Sequence, residues 1–307
     1  MTVPYEALNI GARIGAGGQG DVFRVNNRPN EALKIYHDHI APQLQPGLLD
    51  RLVAEADHLS LENHPITYYA TWPTETVTRA GKTIGFLMPL LAEDFFLSAG
   101  NLTGHEASFM YLAARPAPMW GAVRLPDTHT RLRLLALFAA VLQQLHHRGM
   151  IIGDISWSNV LWSPRPRIVL LDCDGIRLPQ GQPVLGRQYD SPEWYDPQAP
   201  TATPDVDRDR YKLALMVLRV LSHDLTAHPQ PSGNHCLEGL DQTMAKAIDQ
   251  LLVQATQGAH RPSATQWRTV LEGRASHPVS TPLRPSRSLS RQSPPLRQWI
   301  PVSRSKK

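Results

Sequence analysis

The sequence predicts an α+β chain, with a small sheet-rich lobe, then a larger helical lobe, then a basic tail with no fold of its own. Three observations predict this. Up to about residue 91, short apolar-alternating runs are broken by glycine and asparagine turns. From about residue 130 the apolar spacing becomes mainly helical. Charge divides in the same way: Arg274–Lys307 holds six Arg, two Lys and no acid, so that segment carries +8 of a formal net charge of +4 and residues 1–273 carry −4. The expected boundaries are 1–91, 92–272 and 273–307.

Taken in order, "ARIGAGGQGDVFRVNNRPNEALKIY" reads as strands around a glycine cluster, a turn at Asn26–Asn30, and a further strand. The segment 48–61 has helical spacing, with Leu48, Leu49, Leu52, Val53, Ala56 and Leu59 on one side. Residues 67–91 read as two or three strands with a hairpin at Ala80–Gly81. Helices are expected over 130–147, 208–222, 239–254 and near 263–272, with short strand pieces at 151–152, 160–162 and 168–171. The tail, "RPSRSLSRQSPPLRQWIPVSRSKK", has too little apolar surface to order itself. The basic balance therefore describes the tail and not the body. Trp299 is the tail's only aromatic, so it offers no stacking platform, and nucleic acid is not an expected partner.

Composition excludes other classes. Apolar content is 42%, ample for a core. Two cysteines, Cys173 and Cys236, make no disulfide framework and fit a reducing cytoplasm. "MTVPYEALNI" lacks the basic-then-apolar pattern of a secretory leader. The most apolar run, 132–145, is too short to span a bilayer and carries Arg133, so no membrane association is expected. The 13 histidines, His37/His39 and His146/His147 among them, show no metal spacing.

Three stretches carry chemistry. "IGAGGQGDV" places Gly15, Gly17 and Gly20 as G-x-G-x-x-G, with Gly18 between and Val22 after. The pattern alone also fits a flexible turn. The next residues, "DVFRV", alternate like a strand and do not open a helix, and Gly20-Asp21-Val22 lacks the Lys-Ser/Thr of a Walker loop. A glycine hairpin of this kind can lay backbone N–H groups over phosphates. Lys34, in the apolar strand "EALKIY", needs an anion or a route to solvent; Glu55 on the next helix is the nearest candidate carboxylate. Asp154 and Asn159 in "IIGDISWSNVLW", with Asp172 and Asp174 in "VLLDCDG", bring hard oxygen ligands to strand ends, a set suited to Mg²⁺ on substrate phosphates or to independent turns.

In order over most of residues 10–272, these motifs resemble the eukaryotic-like (Hanks-type) Ser/Thr protein kinases of bacteria. The matches are the glycine loop through Val22, Lys34, Glu55, the D-x-x-x-x-N pattern Asp154–Asn159, Asp172, "SPE" at 191–193, Asp209 at the head of a central helix, and Arg261. The resemblance implies a bilobal protein-kinase fold with a β-rich N-lobe and an α-helical C-lobe. It implies ATP with Mg²⁺, or Mn²⁺ in its place. Asp154 would accept the substrate proton, Lys34 held by Glu55 would grip the α- and β-phosphates, and Asn159 and Asp172 would hold the metal. The glycine loop would cover the phosphates. Met88 would be the gatekeeper, Leu91 would offer main-chain bonds to adenine, and Arg261 would pair with Glu193.

Departures sharpen the reading. Ile152-Gly153-Asp154 replaces His-Arg-Asp, and the hydroxyls between Asp172 and Glu193 are only Tyr189 and Ser191. Control by activation-segment phosphorylation is therefore not expected. Ser156 stands where many such kinases have a lysine, Cys173 replaces the D-F-G phenylalanine as a small buried hydrophobe, and Asp174 reads as a solvated turn residue or an extra metal ligand, the turn preferred. The Ile-Gly-Asp loop also resembles bacterial kinases encoded beside a PP2C-type phosphatase and a von Willebrand factor A-domain (VWA) protein. A nucleotide-binding pseudokinase scaffold and an aminoglycoside-type small-molecule phosphotransferase are the alternatives.

Overall fold

A computed structural model of the chain describes residues 1–179, 183–185, 191, 193–199 and 203–274. Tyr189 and Pro192 lie outside the described residues, as do the tail residues from 275 onward. The fold is mixed α and β, with a six-stranded sheet followed by several helices, and is compatible with the bilobal kinase-like architecture that the sequence predicts.

The sheet is built from β1 (Thr2–Pro4), β2 (Ile10–Ala16), β3 (Gly20–Val25) and β4 (Glu31–Tyr36). A short ribbon comes next, β5 (Ser60–Leu61) with β6 (His64–Pro65), before β7 (Glu75–Arg79) and β8 (Lys82–Pro89) complete the sheet. Its order is β1-β7-β8-β4-β3-β2, antiparallel except for the β1–β7 pair. This puts β4 between β3 and β8, with Lys34 facing Val22 on one side and Phe86 on the other. Gly20 and Gly85 are glycines for packing reasons: a Cβ on either would fall 2.2 Å or 2.0 Å from a carbonyl oxygen of β4. One sheet face buries a small cluster containing Val3, Val25, Leu33, Val77 and Leu87. The other face shares Tyr36 and Phe86 with the large core that runs through the helices.

Helix α1 (Leu48–Glu55) packs Leu49, Leu52 and Val53 inward. The expected helix over 48–61 therefore stops early. Leu59 belongs to a segment that tightens into a 3₁₀ turn and doubles back through Glu62 and Asn63, at φ 50° and 65°, to form the short ribbon. After α2 (Met110–Ala113) comes α3 (Thr128–His147), then a hairpin of β9 (Val160–Ser163) and β10 (Arg167–Leu170). The helices α4 (Val206–Ser222), α5 (Gln242–Ala255) and α6 (Ala264–Leu271) close the fold. Their starts are written in the sequence. Asp127, Asp205 and Asp241 each accept a backbone N–H three residues on, and Ser263 with Gln266 forms a reciprocal capping box. The expected start of α5 at 239 moves to 242, where Asp241 caps it. Ile151 forms one bridge with Arg177 in place of a strand. Fourteen of the 17 residues of α4 are buried, so its polar members must find partners inside the protein. Among the described residues no helix is long and apolar enough to cross a membrane.

Candidate active site

A cleft of about 610 Å³ opens between the sheet and the β9–β10 region, within the size range of small-molecule sites. Gly15, Gly17, Gly18, Gly20 and Val22 line it from the glycine hairpin. Lys34 lines it from β4, Met88 from β8 and Leu91 from the chain after β8. Asp154, Asn159 and Asp172 line it from below. Thus every candidate residue but Glu55 reaches one cavity.

The loop carrying Asp154 is fixed by α4. Asp209, fully buried, accepts the backbone N–H of Ile152 and of Gly153, each at 2.8 Å, and contacts His146 Nε2 at 3.1 Å. Lys212, also fully buried, donates to the Gly153 carbonyl at 2.6 Å. Gly153 sits at φ 74°, a conformation that glycine adopts without a Cβ penalty. The Ile-Gly pair in place of His-Arg is therefore a backbone solution: the loop is gripped through its peptide groups. The Asn159 amide nitrogen donates to the Asp154 carbonyl at 2.9 Å and to Asp154 Oδ2 at 3.1 Å. That leaves Asn159 Oδ1 as an acceptor with no partner among the described residues. Ser191 gives both its N–H (3.1 Å) and its hydroxyl (2.8 Å) to Asp154 Oδ1. A carboxylate offers about four acceptor sites, so one remains for a hydroxyl of another molecule. Ser191 was legible only as a crowded hydroxyl; its bond to Asp154 spans 37 residues and leaves no local sequence signal.

The lysine pairs differently from the expectation. Lys34 Nζ lies 2.8 Å and 2.9 Å from the two oxygens of Asp174 and 3.3 Å from Asp172 Oδ1. Glu55 instead takes Arg148, from Nε at 2.9 Å and Nη2 at 2.6 Å. The expected Lys34–Glu55 pair is not formed, because Arg148, just past the end of α3, holds Glu55 away. Asp174, read from sequence as a solvated turn, is fully buried and also accepts from the Tyr36 hydroxyl at 2.9 Å. Burial alone would lower the Lys34 amine, but the Asp174 and Asp172 charges outweigh it and hold the ammonium above its ordinary range. Burial, reinforced by Asp174, pushes the Tyr36 phenol well above its usual value. Cys173 is buried as expected, its thiol raised by burial and by the flanking carboxylates.

Hard oxygen donors fit a divalent cation here. The Asp172 side chain is 66% exposed and projects into the cleft from a left-handed backbone, φ 49°. With Asn159 Oδ1 it would offer such an ion two protein ligands, as Mg²⁺ sites that rely on substrate phosphates do. Among the described residues no group of three or more His, Cys, Asp or Glu converges as a metal cage. One group escaped sequence reading. Glu106 lines the same cleft, its carboxyl raised by burial and then by the charge of Asp172. Leu91 lines it with neither its N–H nor its C=O bonded among the described residues, whereas the neighbouring Leu90 N–H is taken by Asn30.

The segment after Ser191 is tied to the same pillar. Arg219 of α4 donates to the Glu193 carbonyl at 3.0 Å and sits over Trp157 and Trp194. Arg261 does not pair with Glu193 as expected. It forks onto buried Asp196, with Nη2 2.9 Å from Oδ1, and reaches Asp207 at 3.4 Å. A planar guanidinium prefers the buried bidentate carboxylate.

The chain is similar to two curated relatives. It is 24% identical over 234 residues to "Protein kinase YegI" of Escherichia coli O157:H7, which covers 72% of this chain and 32% of that protein. To "Protein kinase YegI" of Escherichia coli strain K12 it is 24% identical over 235 residues, with the same two shares. The chain spans about a third of the length of these relatives. No family model matches the chain. The similarity supports a protein-kinase-like chain.

Proposed function

We propose that the chain is a Ser/Thr protein kinase dependent on ATP and Mg²⁺, or Mn²⁺ in its place, working in the cytoplasm, its N-lobe at 1–91, its C-lobe at 92–272 and a basic tail beyond. The observation that carries this is the convergence of Lys34, Asp154, Asn159 and Asp172 on one cleft roofed by the glycine hairpin. A bound Mg²⁺ supplies charge neutralisation on the β- and γ-phosphates. Lys34 binds phosphate oxygens, and Asn159 Oδ1 and Asp172 offer the metal its protein ligands. Leu91 presents unpaired main-chain groups to the adenine edge. Asp154, its Oδ1 fixed by Ser191, has one acceptor position left to take the proton of an incoming hydroxyl. In Gly17 and Gly18, neither a positive φ nor crowding explains the lack of a side chain, since a Cβ meets nothing closer than 3.6 Å at Gly17 and nothing within 4 Å at Gly18. Close approach of a phosphate to the backbone does explain it.

Substrates are proteins on this reading, autophosphorylation included, with a VWA-domain protein and a PP2C-type phosphatase as proposed partners. The loop needs no phosphate to hold Asp154, because Asp209 and Lys212 already secure it. Incubation with ATP–Mg²⁺ followed by phosphosite mapping is the test. Phosphate appears on Ser/Thr in the native chain and is absent from Asp154→Ala. Phosphate that persists in Asp154→Ala, or that goes only to small hydroxyl or amino acceptors, refutes the reading.

A further inference from the structure

The buried partner of Lys34 comes from an unexpected element. Asp174 spends both oxygens on Lys34 and Tyr36, within a site where it is 0%, Lys34 5% and Tyr36 3% exposed. Asp172, two residues earlier, is mostly exposed and shares only its Oδ1 with Lys34. The left-handed backbone of Asp172 and the 3₁₀ turn Cys173–Gly175 separate the two carboxylates, one outward to the cleft and one inward to the lysine. Glu55 is engaged on Arg148, which comes just after the last turn of α3.

We propose that Asp174 is the positioning residue for Lys34, so that one turn sets both the lysine and the metal-binding Asp172, and helix α1 does not. This rests on reading the cleft as the MgATP site. A fully buried carboxylate with both oxygens engaged by an ammonium and a phenol is a fixed counter-ion and leaves metal binding to its exposed neighbour. Displacement of α1 then leaves the Lys34 pair intact, because no atom of that pair belongs to α1. The sheet half is joined to the metal turn by this buried pair and separately, through Glu55 and Arg148, to the end of α3.

The test compares Asp174→Asn, Glu55→Gln, Lys34→Met and the double variant Lys34→Met/Asp174→Asn by steady-state kinetics in ATP. Asp174→Asn lowers kcat/KM for ATP on the order of 100-fold, the scale of stripping a buried charge of its partner, chiefly through KM. Glu55→Gln changes it by less than about fivefold, as for a solvent-facing ion pair. The double variant matches Lys34→Met within about twofold, since Asp174 acts only through the lysine. The double variant also removes both buried charges together, so it remains informative if Asp174→Asn fails to fold. Glu55→Gln as damaging as Asp174→Asn, losses that multiply in the double variant, or a defect in Asp174→Asn that excess Mg²⁺ erases would each overturn the proposal. A parallel urea-unfolding cycle needs no nucleotide. Strong Lys34–Asp174 coupling in a chain that neither binds nor turns over MgATP would overturn both the positioning role and the reading of the cleft. No coupling in an active enzyme would overturn the positioning role alone.

Discussion

Asp154 and Lys34 face the same cleft and are secured in opposite ways. Asp154 sits on a loop held by peptide groups: two N–H groups on Asp209, one carbonyl on Lys212, and Asn159 and Ser191 on the aspartate itself. Lys34 is held by charge, through one buried carboxylate and one exposed carboxylate reached across the cleft. Backbone anchoring tolerates changes of side chain in the anchored loop, which is how Ile152-Gly153 can stand there. Charge anchoring tolerates little, since removing one partner strands a buried ion.

The comparison breaks first at Asp209. Asp209→Ala removes the buried carboxylate that accepts the Ile152 and Gly153 N–H groups, so urea unfolding should show a loss of about 3 kcal/mol or more. A loss under about 1 kcal/mol, the net worth of one ordinary hydrogen bond, would mean that the loop is held by something other than α4. A second, smaller contrast lies in the roof of the cleft. Gly17→Ala should leave stability unchanged or slightly raised, because its Cβ meets no crowding. The same change should weaken MgATP binding by about tenfold, one close backbone contact in calorimetry. Equal MgATP affinity would show that the glycines serve the hairpin and not a ligand.

The smallest effect is a pH dependence at the pillar. His228 lies 3.4 Å from Arg219 and 3.3 Å from the Tyr211 hydroxyl. Burial and then the Arg219 charge lower its pKa. The folded chain therefore refuses a proton that the unfolded chain accepts below the ordinary histidine value of about 6.5. Stability should fall as pH drops from there towards the lower folded pKa and level off beneath it. His228→Gln should flatten that part of the profile; an unchanged slope would assign it to other groups, His223 first, whose pKa is lowered by burial and by Arg131.

The order of elements was legible because local signals carried it. Apolar spacing marks the helices and alternation around the glycines marks the hairpin, while the caps at Asp127, Asp205, Asp241 and Ser263 set the starts that spacing alone misses by one to three residues. Most of the cleft was legible too, because Asp154, Asn159 and Asp172 sit at strand ends within a short stretch of chain. What could not be read was which distant charge meets which. Lys34 and Asp174 are 140 residues apart, and Arg261 and Asp196 are 65 apart. A motif position names a residue and not its partner, so Glu55 was assigned to the lysine although Arg148 holds it. Asp174 looked solvated because a turn-like D-x-D pattern carries no sign of which carboxylate turns inward.

The central claim is that Lys34, Asn159 and Asp172 serve one metal–nucleotide complex. Calorimetric titration of a non-hydrolysable ATP analogue, with and without Mg²⁺, into the native chain and Asp172→Ala tests it most directly. The account predicts one site per chain whose affinity depends on Mg²⁺ in the native protein and loses that dependence in Asp172→Ala. Binding of equal strength in all four titrations, or no binding in any, would contradict it.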